Sequence, residues 1–382
     1  MTDTRAALFD LLEAAVADGV FPGCTAAVWH AGSIVYEEAH GKLATHPECS
    51  VQGEGVTRET VYDLASLTKV LATTTLAAQL VSAGRWRLDQ PVPSPWSTGC
   101  PGATLADLLE HCSGLVAHRE YFAMVEPYDA EKVLHHLVQT PAGYPLRERA
   151  VYSDLGFIIL GAWIERELDD PLDVAFADRV AFRLALEGSP LPKLGYRRLF
   201  SDATLKWELE SRIAPTEVYA AGLHPDGVPS HFDVRSKRAS LAHGAVHDDN
   251  AFVMGGVAGH AGLFGSAAAV LEVAIAWAEG RVPDVDGATR DRFWQASTVS
   301  GSTRRLGWDG TPGDGSGSTG VAMSANAVGH TGYTGTSVWI DPDADGGPRI
   351  CVLLSNRVHP VRTNTAIKDF RRRFHEAAVL VR

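Results

Sequence analysis

The strongest constraint on the fold lies late in the chain. Thr334-Gly-Thr-Ser-Val-Trp-Ile340 and Arg349-Ile-Cys-Val-Leu-Leu-Ser355 are strand-like runs on either side of Asp341-Pro-Asp-Ala-Asp-Gly-Gly347, which predicts a β-hairpin. A second hairpin is expected near the start, where Thr25-Ala-Ala-Val-Trp29 and Ser33-Ile-Val-Tyr36 surround His30-Ala-Gly32. Between the two ends the apolar spacing turns helical, from Leu67 to Ser82 before Gly84, then around Leu105, Val133 and Gly156-Phe-Ile-Ile159. Leu8, Leu11, Leu12, Ala15 and Val16 mark an opening amphipathic helix. Ser266 caps another from Ala267 to Gly280, and a last one runs from Thr365 to Val379. Residues 190–250 are polar and irregular and read as loops. The expectation is an α+β fold, with an antiparallel sheet domain flanked by helices and built from residues 1–90 and 250–382. A mainly helical domain, 91–249, is inserted into it.

Composition narrows the class. The 382 residues are 45% hydrophobic, enough for sizeable cores, and no window of eighteen uninterrupted apolar residues suggests a membrane span. Met1-Thr2-Asp3-Thr4-Arg5 does not resemble a secretory leader, so a cytoplasmic location is expected. A formal charge of −12 argues against nucleic acid and anionic membrane as partners, leaving a small-molecule substrate. Cys24, Cys49, Cys100, Cys112 and Cys351 have no metal or redox spacing and read as packed, reduced thiols. The run Arg371-Arg372-Arg373 reads as a solvated helix face.

Three short stretches carry chemistry. In Asp63-Leu-Ala-Ser66-Leu-Thr-Lys69, Ser66 lies at or just inside a helix N-terminus, and Lys69 shares its face three residues on. Amine and helix dipole would both favour negative charge on the hydroxyl oxygen, as an activated nucleophile requires. The same pattern also serves as an ordinary N-cap and a surface lysine. Tyr152-Ser153-Asp154 precedes an apolar helix and is either a helix start or a loop that projects Tyr152 toward Ser66. Gly259-His260-Ala-Gly262 and Gly329-His330-Thr331-Gly332 are alike, but His330 leads into a strand and His260 into a capped helix. His330 is therefore the better candidate for lining a cleft, and His260 for bracing it.

In this order the three stretches resemble the motifs of the serine β-lactamase and penicillin-binding-protein superfamily, most nearly its class C type branch of esterases and D-amino-acid peptidases. That branch carries Ser-x-x-Lys, Tyr-x-Asn, and Lys-Thr-Gly or His-x-Gly. The resemblance extends through Thr104-Leu-Ala-Asp-Leu-Leu-Glu-His111-Cys-Ser-Gly-Leu115, Gly262-Leu-Phe-Gly-Ser266 and Val352-Leu-Leu-Ser-Asn-Arg357, so it covers nearly the whole chain. It implies a cofactor-free hydrolase in which Ser66 is acylated while Lys69 and Tyr152 move its proton. The backbone N–H groups of Ser66 and Tyr333 would form the oxyanion hole. Asp154, His330, Thr331, Gly332 and His260 would bind substrate or support the site. A tyrosine of pKa near 10 is about one-thousandth ionised at pH 7, and Lys69 as an ammonium would favour its phenolate.

Two departures bear on substrate. Asp154 stands where the family has asparagine, and a carboxylate accepts hydrogen bonds but cannot donate them. It is expected to hold Lys69 as an ammonium, which leaves the base's task to Tyr152. His330 stands where β-lactamases have lysine and offers a weaker anchor for a carboxylate. Small D-amino-acid or muropeptide amides are the expected substrates. A promiscuous carboxylesterase, a sensor acylated once, and a metal site built from His247, Asp248, Asp249 and His260 are the alternatives.

Overall fold

The computed structural model describes residues 3–47, 49–126, 128–186, 193–199, 212–218 and 242–382. Six antiparallel strands form the main sheet in the order β2-β1-β9-β8-β7-β6. They are β1 Gly23–His30, β2 Ser33–Gly41, β6 Asp309–Gly310, β7 Val328–Thr331, β8 Ser337–Asp341 and β9 Arg349–Ser355. Both expected hairpins are present. The first and last segments of the chain meet where Cys24 pairs with Ser355.

Residues of β8 and β9 are buried throughout, because both faces of the sheet are covered and side chains alternate between them. On one face Ala26, Val28, Trp339 and Leu353 pack against Leu8 and Leu12 of the Thr4–Ala17 helix and Phe370 and Phe374 of the Ile367–Ala378 helix. On the other, Ala27, Val338, Ile350 and Val352 join a larger core shared with the Ala267–Ala278 helix and the segment after Ser66.

That segment is helical from 67 to 82, winding as a π-helix over Lys69–Thr74 and as an α-helix over Thr75–Ser82. The expected helices of the middle region are Leu105–Leu109, started by a Thr104–Asp107 capping box, Ala130–Val138 and Asp154–Leu168. A small second sheet, β3 Tyr62–Asp63, β5 Leu263–Gly265 and β4 Leu194–Tyr196, ties the approach to Ser66 to the glycine-rich segment. The loops expected over 190–250 fall largely outside the described residues, but Leu194–Tyr196 within that span is a strand, because it pairs with Leu263–Gly265.

Two expectations need correction. β8 begins at Ser337 rather than Thr334, because the hydroxyls of Thr334 and Thr336 leave the ladder to donate to the carbonyls of Asp63 (2.7 Å) and Leu64 (3.0 Å). Arg371 is not part of a solvated face. It is buried, and one of its terminal nitrogens donates to the carbonyls of Gly332 and Thr336, while Arg372 and Arg373 are exposed. All five cysteines are buried free thiols.

Candidate active site

Ser66 sits in a turn whose shape is imposed from both sides. Leu64 N–H donates to the Leu263 carbonyl at 2.9 Å, anchoring the approach. The next residue, Ala65, takes a left-handed φ of 47°, a conformation a β-carbon disfavours. Asp63 holds it there: one carboxylate oxygen accepts from Ala65 N–H at 2.8 Å, the other from His247 N–H at 2.6 Å. The Thr68 hydroxyl donates to the Ala65 carbonyl at 2.7 Å and accepts from Leu263 N–H at 3.1 Å. The serine is thereby displayed at the mouth of the helical segment, over the lysine one turn along.

Lys69 is completely buried, and its three donors are all used. Nζ reaches Ser66 Oγ at 3.0 Å, Asp154 Oδ1 at 2.8 Å and the His260 carbonyl at 3.1 Å. Burial by itself would lower the lysine's pKa, but Asp154 and Tyr152 more than offset this and raise it, so Lys69 is an ammonium. Burial pushes Asp154 upward, and Lys69 and His118 overcome that push to hold it well below the usual carboxylate range. A buried ion pair thus stands directly behind the serine. His260 contributes its carbonyl, while its ring Nε2 lies 2.8 Å from Asp248 Oδ1.

Tyr152 packs against this pair, its ring 4.9 Å from Lys69 Nζ and 4.8 Å from the His111 ring. Its buried hydroxyl is near enough to Lys69 and Ser66 for both to lower its pKa, yet makes no hydrogen bond of ordinary geometry among the described residues. The expectation that Lys69 would favour phenolate is met only in direction. Burial, assisted by Asp154, wins, so the tyrosine rests as a neutral phenol with a raised pKa.

His330 lies on β7 beyond the short β6 pairing, which stops at Gly329. Its Nδ1 is 2.8 Å from the Thr331 carbonyl, an acceptor, so Nδ1 carries the proton and Nε2 is left as a buried acceptor without a partner among the described residues. Burial, with Lys69 and Arg304 nearby, drives its pKa well below the usual histidine value, so it is neutral. Beyond it, Gly332 is pressed against the serine turn. A β-carbon there would fall 2.6 Å from the Leu64 carbonyl oxygen and collide with Thr336 Oγ1. Only glycine lets the turn close on Ala65. The result is that the N–H groups of Ser66 and Tyr333 belong to two turns in contact, and neither has an acceptor among the described residues.

Ser66, Tyr152, Asp154, His330, Thr331, Gly332 and Tyr333 all border one cavity of about 530 Å³, with Lys69 immediately beneath. The profile of the beta-lactamase family matches residues 8–375. The chain belongs to the beta-lactamase family. It is similar to the N-acetylmuramyl-L-alanine amidase of Bacillus subtilis (strain 168), with 30% identity over 378 residues, 91% of this chain and 80% of that protein. A protein of Escherichia coli (strain K12), provisionally named a D-alanyl-D-alanine carboxypeptidase, is 30% identical over 368 residues, 89% of this chain and 79% of its own length. Among solved structures, simvastatin synthase (LovD) from Aspergillus terreus superposes with a TM-score of 0.72 at 18% identity, covering 99% of this chain and 98% of that one. At that identity the likeness speaks to fold alone.

Within this beta-lactamase-family hydrolase, sequence reasoning missed three contributors. His118 lies with Nδ1 3.5 Å from Asp154 Oδ2, and that carboxylate raises the histidine's pKa. His111 accepts from Ser153 N–H at 3.1 Å through Nδ1 and supports the Tyr152 ring. Burial, with Arg304 and Lys69 nearby, keeps it neutral. Arg304 stacks over the Tyr152 ring at 5.0 Å. His111 belongs to a stretch that carried the family resemblance, which was its only signal; the other two had none. The residues considered as metal donors are otherwise engaged, His247 with Glu217 at 3.0 Å and His260 with Asp248 at 2.8 Å. Among the described residues no group of three or more His, Cys, Asp or Glu is arranged to hold a metal ion.

Proposed function

We propose that the chain is an amidohydrolase that forms an acyl-enzyme on Ser66 and acts on small muropeptide or D-amino-acid amides. Support for this reading comes from the Ser66 hydroxyl held 3.0 Å from Lys69 Nζ, and from Ser66 and Tyr333 lining the same cavity with backbone N–H groups that have no acceptor among the described residues. Donors of this kind, when aimed at the oxyanion of a tetrahedral intermediate, each lower the barrier by about 3–4 kcal/mol.

The protonation states assign the remaining roles. Lys69 is held as a cation by Asp154, so in this reading it is a fixed charge beside Ser66 more than a base. Tyr152 takes the serine proton in the state where the Lys69–Tyr152 pair has lost one proton, returns it to the leaving amine, and then activates water for deacylation. Support for the amide and for its muropeptide character comes from the two relatives named above, both spanning about nine-tenths of this chain.

The test is release of free amine from N-acyl amino acids of the N-acetylmuramyl-L-alanine and acyl-D-alanine types, alongside 4-nitrophenyl acetate. Repeated turnover of at least one amide is expected. Ester turnover with no amide turnover would reassign the protein as an esterase, and one stoichiometric burst would make it an acylated sensor.

A further inference from the structure

The turn that follows β7 is gripped by two arginines. Within the turn the chain bonds to itself: Gly332 N–H donates to the Thr336 carbonyl at 2.7 Å, and Gly335 N–H to the Gly332 carbonyl at 3.1 Å. Arg371, from the Ile367–Ala378 helix, adds one terminal nitrogen that donates to both of those carbonyls, to Gly332 at 2.5 Å and to Thr336 at 2.9 Å. Arg357, just past β9, donates from Nε to the Tyr333 carbonyl at 2.7 Å. The hydroxyls of Thr334 and Thr336 staple the turn to the carbonyls of Asp63 and Leu64, on the approach to Ser66.

The bond from Arg371 to Gly332 fixes a direction. The peptide between Gly332 and Tyr333 is trans, so the Gly332 carbonyl and the Tyr333 N–H point opposite ways. With the carbonyl turned to Arg371, the N–H faces away from the C-terminal helix. Among the described residues, the only other hold on that carbonyl is the neutral bond from Gly335.

Stability alone does not account for an arginine here. Arg371 is only 9% exposed, and its Nε is buried with no acceptor among the described residues. Burial, and after it the charge of Arg357, lowers its pKa, and no carboxylate opposes them. A buried cation held by two carbonyls instead of a counter-ion is unfavourable in itself. Its charge, set on the Gly332 carbonyl, polarises the peptide and strengthens the Tyr333 N–H as a donor.

We propose that Arg371 is a positioning residue for the reaction at Ser66: its grip on the Gly332 carbonyl aims the Tyr333 N–H at the oxyanion and strengthens it. The inference rests on the reading of the Ser66 and Tyr333 N–H groups as the oxyanion hole.

Two readouts on folded variants test it. Arg371→Met removes the donors and the charge, while both carbonyls keep their partners within the turn. Arg372→Met, at an exposed position on the same helix, is the control. Each variant is acylated with 4-nitrophenyl acetate and followed by stopped flow and by difference infrared spectroscopy of the ester carbonyl on Ser66. In wild type that band should lie below its position in the acid-denatured adduct. In Arg371→Met the band should move up, and the acylation rate at saturating ester should fall about 10- to 100-fold with KM little changed, part of the loss expected for removing one oxyanion donor. Arg371→Lys keeps the charge without the planar fork and should lie between the two. Arg372→Met should match wild type. If Arg371→Met does not fold, Arg371→Lys carries the test, and a wild-type band and rate in it would contradict the proposal. A raised KM with band and rate unchanged would make Arg371 a substrate contact and overturn it. If Gly332→Ala shifts band and rate but Arg371→Met shifts neither, the positioning role is wrong and the oxyanion reading stands. If neither variant shifts them although Ser66 is acylated, the oxyanion reading itself fails.

Discussion

Lys69 and Asp154 form a buried ion pair, Nζ to Oδ1 at 2.8 Å, and the lysine's other two donors go to Ser66 Oγ and the His260 carbonyl. The pair decides the site's proton inventory. It keeps a positive charge beside the nucleophile: Asp154, with Tyr152, raises Lys69 against the effect of burial, while Tyr152 is raised by burial, with Asp154 assisting. One proton must leave the Lys69–Tyr152 pair before Ser66 can be deprotonated, so kcat/KM should climb from neutral toward alkaline pH. Asp154→Asn removes a carboxylate that raises both groups, so the rising limb should move to lower pH. The same change strands a buried ammonium, which costs on the order of 3 kcal/mol of stability, and that deficit should shrink as pH rises and Lys69 becomes neutral. A pH–rate profile and denaturant unfolding of the variant check both signs. An unchanged profile would remove Asp154 from this role.

Tyr152→Phe keeps the ring against His111 and removes only the hydroxyl. If that hydroxyl relays protons, kcat should fall about 10²- to 10⁴-fold with KM little altered, as expected for losing a general acid–base group. Steady-state kinetics on an ester and an amide provide the check. The amide should suffer more, because its leaving group needs the proton.

Gly332→Ala addresses the oxyanion donors without touching a side chain that reacts. The new methyl group would meet the Leu64 carbonyl and Thr336 Oγ1, driving the Tyr333 turn away from Ser66. Loss of alignment of one donor should lower kcat by about 10²- to 10³-fold. Binding of a boronic acid inhibitor, whose tetrahedral adduct needs the same donors, should weaken in parallel.

His118 has a pKa raised by the Asp154 carboxylate beside it, against the opposing effect of burial. A folded-state value above the unfolded 6.5 means that its stabilisation is fully present below about pH 6.5 and is lost as pH rises through the folded value. The melting temperature of wild type should therefore exceed that of His118→Gln most at mildly acid pH, and the gap should close toward pH 9. A gap independent of pH would contradict the assignment.

The fold was largely readable because its signals are local. The hairpin around Asp341–Gly347 and the capped helix at Ser266 depend on turn and cap residues that sit next to the elements they bound. The order Ser66, Tyr152, His330 was readable through the family resemblance, and the structure brings the three to one cavity. What could not be read was set by distant contacts. Arg371 looked like one of three exposed arginines until the carbonyls of Gly332 and Thr336 took its guanidinium inside. His118 had no motif, and only the path of the chain brings it to Asp154. The outcome for Tyr152 required knowing that its burial outweighs the charge of Lys69, a comparison that no spacing of residues contains.

The central claim is that Ser66 becomes covalently acylated. Intact-protein mass spectrometry after brief exposure to 4-nitrophenyl esters and muropeptide amides, followed by acid quench and peptide mapping, tests it directly. A mass gain equal to the acyl group on the peptide containing Ser66, absent in Ser66→Ala, is the predicted result. Turnover of the same substrates with no acyl adduct on Ser66 at any quench time, or an adduct that persists in Ser66→Ala, would contradict it.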